Sequence, residues 1–128
     1  MKLYPHDLDA GADVAVSVAE PVSVIGFPFG HSPGGRLAVW ATGFVATDLD
    51  VQWNSLPAML VDCRARPGQS GSPVVARRSG PYTNNNQALV FGGTVTRFIG
   101  VYSGRINDQS DLGIVWNATA VKELIASL

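Results

Sequence analysis

The chain has 128 residues, 46% of them hydrophobic and 15% charged, with a formal net charge of −1. That length suits one domain with a single buried core. The apolar fraction excludes a disordered chain, no apolar run approaches the roughly 18 residues of a membrane span, and there is no basic field to hold nucleic acid.

A charged fraction below the usual quarter fits a β-rich chain. It fits equally a surface covered by a second copy or another partner. The opening Met1-Lys2-Leu3-Tyr4-Pro5-His6-Asp7 has no apolar core segment, so no signal peptide is read and the chain as written is expected in the cytoplasm. Asp13 to Val18 alternates weakly, as an edge strand or a loop would. Val22 to Phe27 reads as a strand closed by Pro28-Phe29-Gly30, and His31 to Gly35 as a turn or loop. Arg36 to Asp48 is rich in β-branched and aromatic residues, with Gly43 suggesting a bulge or bend. Ala58 to Cys63 and Gly71 to Ala76 are further strands, separated from the next by the polar turn formers of Arg77 to Gln87. Leu89 to Ile106 holds one or two strands broken near Gly92-Gly93, and Leu112 to Trp116 is the last.

The period then changes. Val121, Leu124, Ile125 and Leu128 recur at helical spacing on one face. Asn117 is the expected N-cap; Asn117-Ala118-Thr119 also matches a glycosylation sequon, a pattern common by chance. Six or seven short strands with frequent turns and one terminal helix favour a closed barrel or a sandwich.

The single cysteine, Cys63, excludes an internal disulfide and any multi-cysteine metal cage, and reads as a small buried hydrophobe. His6 and His31 are far apart and make no zinc spacing with it. No cofactor is implied.

One segment carries chemistry. Pro67-Gly68-Gln69-Ser70-Gly71-Ser72-Pro73 lies between two strands. A serine nucleophile needs its oxygen clear of the backbone, N–H groups converging on the oxyanion, and a base for the proton. Gly68 and Gly71 allow the tight loop this requires, so that the N–H groups of Gly68 and Ser70 can point to one spot. A plain Gly/Ser/Pro turn would have the same composition.

Gly68-Gln69-Ser70-Gly71-Ser72-Pro73 followed by Val74-Val75 resembles the nucleophile loop of chymotrypsin/trypsin-like serine peptidases, in the bacterial trypsin-like and HtrA-like branch. Val24-Ile25-Gly26-Phe27-Pro28-Phe29-Gly30 resembles the strand and turn opening that family's second barrel. Phe98 to Gly104 resembles its substrate-pairing strand, and Leu112 to Trp116 its closing strand before the C-terminal helix. The resemblance covers Val22 to Leu128. It implies an all-β fold, a six-stranded Greek-key barrel over residues 22–117 with a C-terminal α-helix over 118–128. Residues 1–21 would be a crossover or extended segment within the same single domain. It also implies Ser70 as nucleophile, Gly68 and Ser70 N–H as oxyanion hole, and a polypeptide substrate or ligand held along Val101, Tyr102, Ser103 and Gly104 by strand addition. Arg64 either lines the specificity pocket or is a surface arginine.

The sequence departs from the family upstream. The triad runs His, Asp, Ser along the chain, the first two from the first barrel and its junction. The 21 residues before Val22 cannot build six strands, which need about 30 residues before any loop. His6 and Asp13 stand in family order, but Asp13 is too close to Gly26 and reads instead as part of the crossover. His31 reads as a solvated turn residue. The expectation is therefore a nucleophile without its proton acceptor, inactive or nearly so as this chain. The apolar face that a first barrel would cover is then open to a second copy or another protein. The alternative on the same fold is a non-catalytic module that binds peptides or proteins. An α/β-hydrolase would need Gly-x-Ser-x-Gly ahead of a helix, whereas here Ser72 takes the fifth place and a strand follows.

Overall fold

The computed structural model describes residues 11–12, 14–26, 39–64, 69–90, 93–107 and 110–127. Its elements in chain order are strands β1 (Pro21–Gly26), β2 (Val39–Val45), β3 (Ala58–Asp62), β4 (Pro73–Arg78), β5 (Tyr82–Thr83), β6 (Leu89–Val90), β7 (Val95–Arg105) and β8 (Leu112–Asn117). One helix, α1 (Ala118–Ala126), follows.

Six strands close into an antiparallel barrel in the order β1-β2-β3-β8-β7-β4. Alternation along the strands puts one row of side chains inside, broken in β7 where the register with β4 skips Ile99 between Val75↔Phe98 and Val74↔Gly100. Val22 and Val24 of β1, Val45 of β2, Met59 and Val61 of β3, Val74 and Ala76 of β4, Ile99 and Tyr102 of β7 and Val115 of β8 make the core, joined by Cys63. The first three strands are neighbours in turn, but β4 pairs with β1 and β7 rather than β3. The connection from β3 to β4 must therefore cross from one side of the barrel to the other, and this crossover carries Ser70.

Gly43 does not make a bulge. The β1–β2 ladder runs without a shift from Pro21↔Phe44 to Gly26↔Val39. A Cβ on Gly43 would run into the Asp62 carbonyl and Cys63, so the glycine answers a close approach of the segment ending β3. The polar stretch after β4 also differs from a plain loop. It holds the two-stranded sheet β5-β6, whose turn is organised by Asn84: its Oδ1 accepts from Asn86 N and Ala88 N, both at 3.0 Å. Val14 forms an isolated bridge with Asn84, between the loop and edge-strand readings of that segment.

Helix α1 starts at Asn117, whose side chain accepts from Ala120 N at 2.9 Å. This cap satisfies one of the orphan N–H groups of the first turn. Asn117→Ala should cost about 1 kcal/mol, read as a lower denaturation midpoint with reduced helical ellipticity. The expected apolar face is only partly covered: Val121 is half-buried, whereas Leu124 and Ile125 are 64% and 54% exposed. Leu128 lies outside the described residues. The helix packs on β7 and β8, and only one side of its apolar stripe reaches them. Among the described residues no helix is long and apolar enough to cross a membrane.

Candidate functional site

Ser70 is exposed and stands in the turn that ends the crossover. Ser72 N donates to Gln69 O at 3.0 Å, closing a four-residue turn. Gly71 occupies its third position with φ +89°, the left-handed conformation that a type II turn demands there and that glycine adopts without steric cost.

Three further contacts fix this turn. Gly71 N donates to Tyr102 O at 2.7 Å, and Tyr102 N donates to Ser72 O at 2.9 Å. These bonds extend the β4–β7 ladder by one rung past Pro73↔Val101. From below, Gln69 is fully buried. Gly26 at the end of β1 meets it: a Cβ there would collide with the Ser72 hydroxyl and lie 3.7 Å from Gln69 Cγ. The missing side chain of Gly26 is thus what lets the turn rest on β1. The sequence motif includes Gly26, but its role is readable only once β1 and the crossover are placed together.

On β7 the partner of the turn is bent. The β7–β8 register shifts between Tyr102 and Gly104, so Ser103 is the extra residue of a β-bulge, followed by Gly104 at φ +124°. Such bulges re-aim a strand locally. Here the bulge presents the Ser103 carbonyl to Ser70, whose Oγ donates to it at a long 3.4 Å. Among the described residues, a Cβ on Gly104 would meet only Ser70 Oγ, at 3.5 Å. Beyond the Tyr102 rung, β4 offers Ser103 and Gly104 no pairing among the described residues. Among the described residues, that edge of β7 is open beside the serine.

The residues singled out in the sequence therefore fall into four groups. Ser70, Ser103 and Gly104 come together at the turn. Val101 and Tyr102 lie in the same strand, but both are already paired. Val101 faces Pro73 and Trp116, and the main chain of Tyr102 bonds the serine turn while its side chain is 2% exposed in the core. Arg64 is exposed just after β3. Gly68, His6, Asp13 and His31 lie outside the described residues. The Ser70 N–H donates to no acceptor among the described residues. Those residues contain no histidine, and no cluster of His, Cys, Asp and Glu that could hold a metal ion.

Cys63 is 2% exposed and its Sγ donates to Ala41 O at 3.3 Å. Burial pushes its thiol pKa up, with Asp62 and Asp111 adding to the shift. A thiol held protonated is a poor nucleophile, so Cys63 belongs to the core.

Comparison of the sequence with protein-family models and with curated proteins found no match.

Proposed function

We propose that this barrel supplies the nucleophile half of a trypsin-like serine endopeptidase site. Ser70 Oγ attacks a peptide carbonyl, and the Ser70 and Gly68 N–H groups receive the oxyanion. A base takes the serine proton and returns it to the leaving amine; water then hydrolyses the acyl-serine. The base and its carboxylate come from outside the described residues. The substrate backbone adds along the open edge of β7 at Ser103 and Gly104, so the edge used is shorter than Val101 to Gly104.

The observation that carries this reading is the exposed Ser70 hydroxyl on a turn locked by hydrogen bonds to β7, beside an unpaired strand edge. A second reading rests on the hydroxyl's own partner. Among the described residues, which include no histidine, Ser70 Oγ donates to a main-chain carbonyl, as in a module that holds extended peptides without cleaving them.

Two measurements on the 128-residue chain test these readings. An extended peptide should shift the Ser103 and Gly104 amide resonances under both. A fluorophosphonate should leave Ser70 unlabelled in the isolated chain, and should label it, but not Ser70→Ala, once a barrel bearing His and Asp is supplied. Silence at Ser103 and Gly104 with every peptide tried would sink both readings. Rapid labelling of the isolated chain at Ser70 would show that the base lies within it.

A further inference from the structure

A cavity of about 390 Å³ lies away from the serine turn, its walls including Ser17, Leu49, Asp50, Asn85, Gln87 and Arg97. Arg97 and Ser103 are both on β7, separated by a rise of about 20 Å at roughly 3.3 Å per residue. The cavity is built from four separate pieces of chain: the segment before β1, the β2–β3 connection, the β5–β6 turn and β7.

Its charge arrangement is unusual. Arg97 is half-buried, and Nη1 donates to Val14 O at 2.8 Å. A guanidinium has five N–H donors, and the rest of this one find no protein acceptor among the described residues. Burial pushes the Arg97 pKa down, while the charge of Asp50 opposes that shift. Yet among the described residues Asp50 and Arg97 do not close into an ion pair. A cation and an anion thus share one cavity without touching, with space between them.

The remaining polar wall is also held in place. Asn85 Nδ2 donates to Ala12 O at 3.1 Å, which leaves its carbonyl oxygen to accept. Gln87 sits at φ +63°, a conformation that glycine adopts at lower cost. The turn keeps a glutamine there, and Gln87 lines the cavity.

We propose that this cavity binds a free α-amino acid as its zwitterion, the carboxylate on the Arg97 guanidinium and the ammonium on Asp50. A ligand carrying both charged groups on one carbon bridges the two side chains and neutralises both. A simple anion would be repelled by Asp50, and a simple cation by Arg97. This site is independent of the Ser70 reading.

The test is an NMR titration of the full chain with alanine and leucine, with acetate and methylamine as single-charge controls. The amino acids should saturate shifts at Asn85, Gln87 and Arg97, and bind at least about tenfold tighter than either control, a difference of about 1.4 kcal/mol. Asp50→Asn, at an exposed position, should leave the fold intact and abolish the preference for alanine over acetate. Arg97→Lys should weaken alanine binding, because an ammonium lacks the planar fork. Absence of saturable shifts in the tens-of-millimolar range, equal binding of alanine and acetate, or an unchanged preference in Asp50→Asn would each overturn the proposal.

Discussion

Gly100→Ala should lower the stability of the barrel by about 3 kcal/mol or more, with a fall in melting temperature of about 12 °C. Gly100 pairs on one side with Val74 of β4 and on the other with Asn117 of β8. It is thus a point where three strands meet. A Cβ there would collide with the Trp116 carbonyl oxygen and approach Trp116 C and Val115 Cγ1, both at 2.9 Å. The first two are main-chain atoms, which cannot turn aside as a side chain can, so relief requires separating β7 from β8. Total stabilities of about 5–15 kcal/mol leave little room for such a loss. Gly93→Ala is the control. Among the described residues nothing lies within 4 Å of a Cβ at that position and its φ is not left-handed, so it should change stability by no more than about 0.5 kcal/mol. Thermal unfolding of both variants checks the pair, and equal midpoints would show that β7 and β8 do not approach as closely as described.

That contact illustrates what the amino-acid pattern can and cannot disclose. The barrel strands are legible because short runs of Val, Ile, Leu, Met and Ala stand between Gly, Pro and polar turn formers: Val22 and Val24, Met59 and Val61, and Val74 and Ala76 all reach the core. The helix cap is legible because Asn117 precedes a change from a period of two to a period of 3.6. By contrast, Gly43 and Gly100 carry no label for which neighbour they admit. A bulge, a bend and a close approach all call for a missing Cβ, and only the register between strands decides among them. The β5-β6 hairpin was hidden for a related reason. Two-residue strands have no room for an alternating pattern, and Asn84, Asn85 and Asn86 read as turn formers whether or not strands flank them. The apolar stripe of α1 states which side chains share a face, not what covers it, and Leu124 and Ile125 remain largely exposed.

The site divides the same way. Gly68-Gln69-Ser70-Gly71 announces a tight turn, and the turn is there at Gln69–Ser72, with Gly71 left-handed. The bulge at Ser103 was not legible, because a bulge is a relation between two strands and the letters Tyr-Ser-Gly fit an unbroken strand as well. The inward orientation of Tyr102 depends on a second such relation: it lies three residues after Ile99, and both reach the core because the β4–β7 register skips Ile99 between Val75↔Phe98 and Val74↔Gly100. Polar Ser103 next to it invites the reading that the whole stretch faces a ligand.

The burial of Tyr102 has a consequence for alkaline stability. Its ring packs against Gly113, where a Cβ would collide with it, and its hydroxyl has no hydrogen-bond partner among the described residues. Burial pushes its phenol pKa up, with Cys63 and Asp111 adding to the shift and Arg105 opposing it. Burial likewise raises the nearby Cys63 thiol. Both groups are neutral when protonated, and the folded state holds its protons to higher pH than the unfolded chain does. Their contribution is therefore intact below the unfolded pKa values, about 9.0 for the thiol and 10.0 for the phenol. It is lost as pH rises from there toward the folded values, because the unfolded chain has released protons that the folded one still binds. The slope reaches about 1.4 kcal/mol per pH unit for each proton involved. Urea midpoints should thus hold steady from pH 7 to about 8.5 and fall steeply by pH 11. Tyr102→Phe removes both the titrating group and an unpaired buried hydroxyl. It should raise stability at pH 7 by about 1 kcal/mol and flatten the upper part of the alkaline fall, leaving the part due to Cys63. A loss of more than about 1 kcal/mol in that variant would show instead that the hydroxyl has a partner, such as a buried water, that stabilises the folded barrel.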